Sequence, residues 1–284
     1  KSSNWPISEN NAVTTIGAAL REARSVIETF DAQTLLAFVL GKNRTYLYTH
    51  DTDELPPALL THFLDCVERC RAGEPVPYIT GVQYFMDRAY RVTPDVLIPR
   101  YDTETLIEVA ADLIKSHGLS SVLDLGTGSG CIACTLALDF PLVSVRATDI
   151  SEKALNIAQD NARTLQAPVR FSIGAWFDAV DSDERFDLIV SNPPYIHPAD
   201  EHMPALSFEP VDALTDHVDG LSHYKSIITD APTFLNKGGY LAFEHGWDQG
   251  FTIRELFSEK GLWTDIRTVK DLAERDRVTL AQLC

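Results

Sequence analysis

The pattern of apolar and polar positions predicts helices in the first third of the chain. Apolar residues recur every three to four positions over residues 12–30, which is the spacing of one helix face. A second apolar stretch, residues 35–40, stops at Gly41, and a third periodic segment runs from Pro56 to Gly73. These segments predict a small helical bundle.

The helical pattern of apolar residues ends between residues 74 and 99, where four prolines disfavour helix formation. Residues 78–80 and 89–92 are short β-prone runs, and helical periodicity resumes at Asp102. We therefore predict three parts: a helical domain over residues 1–82, a β-hairpin connector over residues 83–101, and a second domain over residues 102–284.

Strands and helices alternate in this second domain. Most of the predicted strands are rich in apolar residues and are separated by helical segments, and Ser151 is placed to cap one of the helices. Such alternation predicts an α/β fold, with a mostly parallel, doubly wound sheet that has helices on both faces. The C-terminal end is predicted to add an antiparallel hairpin. The predicted strands are residues 122–125, 143–148, 170–173, 186–190, 239–244, 267–270 and 278–283.

Charge narrows the classes of partner. The 284 residues include 24 Lys and Arg against 41 Asp and Glu, a formal net charge of −17. A strongly acidic chain lacks the basic footprint that phosphates require, so we expect no direct nucleic-acid partner. The same balance argues against anionic membrane surfaces, and no apolar run is long enough to span a bilayer. Five cysteines, an odd number in a long chain, do not resemble a disulfide framework, which favours a cytoplasmic location.

A glycine-rich loop is the first candidate site. It follows Asp124 at the end of a predicted strand and precedes a helix; its residues are Gly126, Thr127, Gly128, Ser129 and Gly130. Glycines in this position let a ligand approach the backbone and the helix N-terminus closely. The spacing predicts a nucleoside-type cofactor site, with a tight structural turn as the alternative. Asp149, at the tip of the next strand, is suited to bind two ribose hydroxyls, although it could also be a helix N-terminal charge.

Cysteines 131 and 134 follow the loop directly in a Cys-x-x-Cys spacing. A redox role needs an exposed cysteine at a helix start, whereas small apolar neighbours here indicate packing against the sheet. We interpret both as structural. Cys66 and Cys70 share a helix face with no further ligand residues nearby, and we interpret them in the same way.

The motif Asn192-Pro193-Pro194-Tyr195 follows another apolar strand. Two prolines fix the backbone and remove two N–H donors, so the motif presents acceptors, including the Asn192 side-chain oxygen. Such a cluster can hold a planar NH₂ group while Tyr195 covers its flat face. Since all three sites follow strands of one predicted sheet, they are expected to share one crevice at its carboxyl edge.

These residues resemble class I S-adenosylmethionine-dependent methyltransferases that act on planar amino or amide nitrogens. The resemblance rests on DLGTGSG over residues 124–130, on Asp149 and on NPPY. Three further segments resemble the peptide chain release factor glutamine methyltransferase family: GEPVPYITG (73–81), LIPRYDTE (97–104) and EHG (244–246). The family pattern differs here at Tyr101, at Met86-Asp87 and at Glu274, which affects local loop geometry.

The resemblance implies a Rossmann-like methyltransferase domain over residues 102–284 and a substrate-recognition role for the helical domain over residues 1–82. It also implies transfer of a methyl group to the glutamine of a Gly-Gly-Gln motif in release factors. The implied catalytic residues are Asn192 and Pro193, and Asn192 to Tyr195 would bind the substrate. The implied cofactor residues are Gly126, Thr127, Gly128, Ser129, Gly130, Asp149, Trp176 (on the adenine) and Asn192. S-adenosylmethionine is the implied cofactor, with S-adenosylhomocysteine as product and no metal. Arg100 and Glu104 are interpreted first as helix-start and interdomain contacts.

Several alternatives stay open. A ribosomal-protein glutamine methyltransferase shares NPPY, as does a nucleic-acid adenine N6-methyltransferase, which the charge disfavours. The partial match of Gly128, Gly130 and Ala133 to a dinucleotide fingerprint allows a nicotinamide oxidoreductase, but that leaves NPPY unexplained. A non-catalytic nucleoside-binding module is the last alternative. We expect a monomer with a release factor as its protein substrate.

Overall fold

A computed structural model describes residues 14–201 and 203–284. The chain divides into two units, the first ending at Thr80 and the second spanning Gly81–Cys284. The first unit is helical. Its helices are α1 (Ile16–Ala23), α2 (Thr29–Leu40), α3 (Arg44–Thr49), α4 (Pro57–Arg71) and α5 (Val76–Thr80).

Local signals set the ends of these helices. The Thr15 side chain accepts a hydrogen bond from the Ala18 N–H and caps α1, and Asn43 caps α3 in the same way through the Tyr46 N–H. Gly41 ends α2 in the left-handed conformation. The apolar faces meet in one core that includes Leu35 and Phe63.

Two predictions for this unit were wrong. The single helix predicted over residues 12–30 is interrupted between Ala23 and Thr29, where the Ser25 hydroxyl donates to the Glu22 carbonyl and competes with helix continuation. The part of that prediction at residues 12–13 lies outside the described residues. Residues 78–80, predicted as a strand, belong to α5, because Pro77 lies in its first turn and needs no N–H partner there.

The second unit opens with an antiparallel hairpin of β1 (Val82–Phe85) and β2 (Arg88–Arg91), followed by α6 (Glu104–His117). Strands and helices then alternate, as predicted. The strands are β3 (Ser121–Leu125), β4 (Ser144–Asp149), β5 (Val169–Ile173), β6 (Phe186–Ser191), β7 (Leu235–Glu244), β8 (Trp263–Lys270) and β9 (Asp276–Leu283). The helices are α7 (Cys131–Asp139), α8 (Glu152–Leu165), α9 (Ser222–Phe234) and α10 (Gly250–Glu259).

The main sheet has the order β5-β4-β3-β6-β7-β9-β8. Strands β3 to β7 pair in parallel, while β9 pairs antiparallel with both β7 and β8. Apolar side chains form a separate buried cluster on each side of the strands, represented by Val122 in one cluster and Leu123 in the other. This confirms the predicted doubly wound α/β fold with an antiparallel C-terminal end. The chain order reverses between β3 and β6, which is where ligand crevices form in open α/β sheets.

Candidate active site

Four polar side chains lie at the carboxyl ends of neighbouring strands. Asp124 is near the end of β3, Asp149 ends β4, Asn192 follows β6, and Glu244 ends β7. The strand register aligns these ends, because Leu125 lies opposite both Thr148 and Ser191. The predicted loop and the NPPY motif are therefore brought together at the topological switch point of the sheet.

The glycine loop closes tightly over the end of β4. The N–H groups of Gly126 and Thr127 both donate to the Thr148 carbonyl, at 2.9 and 3.0 Å. The backbone φ angles of Gly126, Gly128 and Gly130 are +71°, +55° and +80°, which residues other than glycine adopt only with strain. The repeated glycines are thus required by the backbone path itself.

Asp149 is joined to this loop by its side chain. The Gly128 N–H donates to Oδ2 and the Ser151 N–H donates to Oδ1, both at 2.8 Å. Burial raises the pKa of the carboxyl group, against the lowering effect of these hydrogen bonds. Each oxygen keeps a further lone pair, so Asp149 can accept hydrogen bonds from a ligand as well.

Asp124 lies fully buried beneath the loop, with 0% of its surface exposed. The Thr127 hydroxyl donates to Oδ2 at 2.6 Å, whereas Oδ1 has no hydrogen-bond partner in the described chain. Burial raises the pKa of Asp124 to about 7, and the nearby charge of Asp149 adds to the effect. A buried carboxyl oxygen without a partner is suited to a cationic ligand group.

Trp176 lies beside the same loop. A Cβ added at Gly126 would be 3.3 Å from the Trp176 ring atom Cζ3, and the ring also packs edge-on against His223. Trp176 has a φ of +46°, and the Thr148 hydroxyl donates to its carbonyl at 3.2 Å. A bulky residue held in the left-handed region marks a strained position of the kind found at functional sites.

The NPPY motif leaves β6 next to the loop. The hydroxyl of Ser191 donates to the Leu125 carbonyl at 2.7 Å, which ties the motif to β3. Asn192 is half-buried, and its Nδ2 donates to the Thr103 Oγ1 at 3.4 Å. Pro193 is buried, while Pro194 and Tyr195 are half-buried; burial raises the pKa of the Tyr195 hydroxyl.

Three residues around this motif were not assigned a role from the sequence. Gln249 donates from Nε2 to the carbonyls of Tyr195 and Gly220, each at 3.1 Å, and so fastens the segment after NPPY. Thr103 is the hydrogen-bond partner of Asn192, and Glu244 is a second buried carboxyl group in the crevice. The EHG segment signalled Glu244, but no local pattern indicated that Thr103 lies against it.

Arg100 and Glu104 are at the start of α6. Arg100 pairs with the buried Glu209, which also accepts a hydrogen bond from the Ile98 N–H at 3.2 Å. Glu104 is the first residue of the helix and accepts from the Met86 N–H at 3.3 Å. The helix-start interpretation is confirmed for Glu104.

The cysteines of α7 are free and buried. Burial raises the pKa of Cys131 and of Cys134 to about 12 each, so neither is a thiolate near neutral pH. This agrees with their structural interpretation. Within residues 14–201 and 203–284, no group of three or more His, Cys, Asp or Glu side chains is placed to hold a metal ion. Over the same ranges, none of the helices has the length and apolar character needed to cross a membrane.

Comparison with known proteins identifies the family. Residues 11–81 match the family model for the PrmC N-terminal domain, and residues 103–208 match that for the methyltransferase small domain. The release factor glutamine methyltransferase of Bordetella pertussis is 45% identical over 88% of this chain and 93% of its own length. The chain belongs to the release factor glutamine methyltransferase family.

Other members give the same result. The release factor glutamine methyltransferase of Neisseria gonorrhoeae is 43% identical over 91% of this chain and 94% of its own length. The release factor glutamine methyltransferase of Vibrio cholerae is 41% identical over 94% of this chain and 96% of its own length. Membership in the glutamine methyltransferase family confirms the resemblance predicted from the sequence motifs.

Solved structures show the fold. The hMettl16 catalytic domain, determined in complex with the MAT2A 3′UTR hairpin 6, has a TM-score of 0.56 at 17% identity, covering 80% of this chain and 82% of its own. The Thermus thermophilus 16S rRNA N2 G1207 methyltransferase, determined with AdoMet and guanosine, has a TM-score of 0.54 at 19% identity. The match covers 72% of this chain and 50% of that chain. Both support a methyltransferase fold for this member of the glutamine methyltransferase family.

Proposed function

We propose that this chain transfers a methyl group from S-adenosylmethionine to the side-chain amide nitrogen of the glutamine in the Gly-Gly-Gln motif of peptide chain release factors. Its membership in the release factor glutamine methyltransferase family supports this activity. The observation that carries the proposal is the placement of Asn192-Pro193 directly beside the Gly126–Gly130 loop, because methyl transfer requires donor and acceptor sites in one crevice.

The residues beside the loop fit the cofactor. The unpartnered Asp124 Oδ1 suits the ammonium group of the methionine part, and Asp149 retains acceptor capacity for the ribose hydroxyls. Trp176 offers an aromatic face or edge for the adenine, and Thr127 and Ser129 lie within the loop that would enclose the methionine part. When bound, the cofactor supplies a methyl group on a positively charged sulfur and is left as S-adenosylhomocysteine.

The amide nitrogen of glutamine is a poor nucleophile because its lone pair is delocalised into the carbonyl group. Hydrogen bonds from its N–H groups to the Asn192 Oδ1 and to a backbone carbonyl near Pro193 favour positive charge on nitrogen. Neither proline can donate, so the motif offers acceptors to these N–H groups. Orientation of this kind can contribute about 7 kcal/mol or more to lowering the barrier.

The remaining steps need few groups. One N–C bond forms as one S–C bond breaks, and the methylated nitrogen then loses a proton, so the NPPY motif requires no strong general base. Pro194 and Tyr195 exclude competing water from the site. Asn192 and Pro193 are the proposed catalytic residues, and Asn192 also borders the cofactor site.

The protein substrate gives roles to the other parts of the chain. We assign substrate recognition to the helical domain over residues 1–82, connected through residues 83–101 to the methyltransferase domain over residues 102–284. A release factor is a cytoplasmic protein, so the proposed location is the cytoplasm, where the chain acts as a monomer without binding nucleic acid or a metal.

Mass spectrometry of purified release factor before and after incubation with this chain and cofactor tests the proposal. The expected result is a gain of one methyl group on the tryptic peptide that contains Gly-Gly-Gln. Asn192→Ala is expected to abolish the gain while folding and most cofactor affinity remain. Parallel reactions contain ribosomal proteins, DNA and RNA. Methyl transfer to a ribosomal protein or to adenine, with release factor unmodified, contradicts the proposal and supports the corresponding alternative.

A further inference from the structure

We propose that Glu244 is a positioning residue that fixes the orientation of the Asn192 side chain. Together with Thr103, the Glu244 carboxylate holds the NH₂ end of Asn192, so that Oδ1 is directed to the substrate amide. This inference rests on the proposed function, since it concerns the acceptor that binds the glutamine N–H groups.

The placement of the three side chains supports this role. Glu244 ends β7, which lies beside β6, and only 1% of its surface is exposed. Thr103 is also buried, and its hydroxyl oxygen accepts a hydrogen bond from the Asn192 Nδ2 at 3.4 Å. Ser191 pairs with Phe243 in the register of β6 and β7, so Asn192 and Glu244 leave the two strands side by side. Hydrogen bonding with the side chains of Thr103 and Asn192 lowers the pKa of the Glu244 carboxyl group, against the effect of burial. The Oε2 atom of Glu244 is buried without a hydrogen-bond partner in the described chain.

The hydrogen-bonding chemistry of Glu244 determines which end of the Asn192 amide faces it. An amide side chain has a donor end and an acceptor end, whereas an ionised carboxylate can only accept. A carboxylate beside Asn192 therefore favours the orientation in which Nδ2 faces Glu244 and Thr103. The opposite orientation places two acceptors together in a buried site, which is unfavourable. The substrate thus meets the Asn192 oxygen rather than its nitrogen.

Several charged or titratable groups act on Glu244. Arg277 in β9 favours its ionised form, while Asp102 disfavours it. The Tyr224 hydroxyl donates to the main-chain carbonyl of Glu244 at 2.9 Å. The charge of Glu244 in turn raises the pKa of Tyr195, Tyr224 and Cys131. Burial has a larger effect than these neighbouring groups, and it raises the pKa of Glu244 to about 7.

Protonation is expected to reverse the effect of Glu244. A protonated carboxyl group donates a hydrogen bond, so it can bind the Asn192 Oδ1 and compete with the substrate for that oxygen. Methyl transfer should therefore be fully supported above the pKa of Glu244 and fall as the pH drops through it. The amide nitrogen of the substrate does not titrate in this range and adds no dependence of its own.

The experiment measures kcat/KM for a Gly-Gly-Gln release factor between about pH 5.5 and 8.5, at saturating cofactor. Saturation removes the effect of Asp124 on cofactor binding. For wild type we expect kcat/KM to fall on the acidic side of its pH profile, and this acid limb should have an apparent pKa near 7. Glu244→Gln should lower kcat/KM at pH 8 by about 10- to 100-fold, and its acid limb should disappear, because Gln does not titrate. The matched control is Glu259→Gln, on the exposed end of α10, which should keep both the rate and the limb.

Thr103 provides a second variant pair. Thr103→Val removes the hydroxyl at nearly constant shape and should lower kcat while leaving cofactor affinity unchanged; Thr103→Ser should restore most of the rate. A Glu244→Gln enzyme that keeps the wild-type rate and acid limb overturns the inference. If Glu244→Gln fails to fold, wild-type activity in Thr103→Val overturns it instead. Absence of transfer by wild type itself is a different result, which overturns the proposed function.

Discussion

The proposed contact of Asp124 with the cofactor ammonium group predicts that cofactor binding depends on pH. Its pKa is raised to about 7 by burial, and a bound ammonium group favours the ionised carboxylate. Cofactor affinity should therefore be highest above about pH 7 and weaken as the pH falls below it, because binding must then also remove a proton. Isothermal titration calorimetry across this range measures both the affinity and the proton release.

Two variants separate Asp124 from other sources of this pH dependence. Asp124→Asn should weaken cofactor binding at pH 8 and flatten its dependence on pH. Asp230→Asn, an exposed carboxylate on α9, should change neither. Asp149, whose pKa is also raised, remains in both variants. Wild-type affinity that is constant between about pH 6 and 8 contradicts this account of Asp124.

Gly128 and Gly130 have similar left-handed backbone angles but different surroundings. A Cβ at Gly130 would lie 3.0 Å from the Ala158 Cβ and 3.2 Å from its Cα, whereas one at Gly128 meets no heavy atom of the described chain within 4 Å. Gly130→Ala should therefore lower the free energy of unfolding by about 2 kcal/mol or more. Gly128→Ala should cost about 1 kcal/mol, from backbone strain alone.

Chemical denaturation of both variants tests this difference, and cofactor binding provides a second measurement. Gly128 donates its N–H to Asp149 and lies in the predicted cofactor loop, so Gly128→Ala should lose affinity out of proportion to its small loss of stability. Equal losses of stability in the two variants contradict the packing argument at Ala158.

The residues predicted from sequence are those whose chemistry is local. The glycines and Asn192 follow strands and Asp149 ends one, and strand ends are recognisable from runs rich in apolar residues. Glu244 and Thr103 could not be assigned in this way, because their interaction depends on contact between segments far apart in sequence. The unpartnered oxygens of Asp124 and Glu244 are likewise properties of packing, which no local pattern records.

At the scale of elements, sequence reasoning was most accurate for the central strands. Residues 122–125 and 186–190 are apolar apart from one aspartate each, Asp124 and Asp187, as expected for strands buried on both faces. Short helices were less predictable: α3 has six residues and α5 has five, too few for a periodic pattern. Residues 78–80 are β-prone, and only the placement of Pro77 in a first turn favours the helix that forms.

Helix α7 determines the reactivity of its two cysteines. Cys131 and Cys134 are buried with pKa values raised to about 12, whereas Cys284 is exposed. A thiol reagent applied to the native protein should therefore modify Cys284 rapidly and leave the α7 pair unmodified. Peptide mapping after brief alkylation measures this, with the denatured protein as control. Rapid labelling of Cys131 without unfolding contradicts the structural interpretation and reopens a redox role.

The acidic charge of the molecule is concentrated in its larger part. Residues 1–82 have a formal net charge of −3 and residues 83–284 one of −14. The sheet, its crevice and the predicted cofactor loop all belong to the more acidic part. Structural neighbours of similar fold include proteins determined with RNA or guanosine, so the fold alone does not select a protein substrate. The acidic net charge of the whole chain favours a protein substrate over a nucleic-acid substrate.

This charge predicts how methyl transfer responds to polyanions. Binding of nucleic acid gains its sequence-independent affinity from Lys and Arg on phosphates, with counterion release at low salt. An excess of duplex DNA or RNA should therefore leave the rate of release factor methylation unchanged, even at about 50 mM salt, where such binding is strongest. Polylysine should inhibit under the same conditions and lose its effect as added salt screens the charges. Inhibition by RNA that disappears with salt would instead show a local basic site, and adenine methylation would then have to be tested on that RNA.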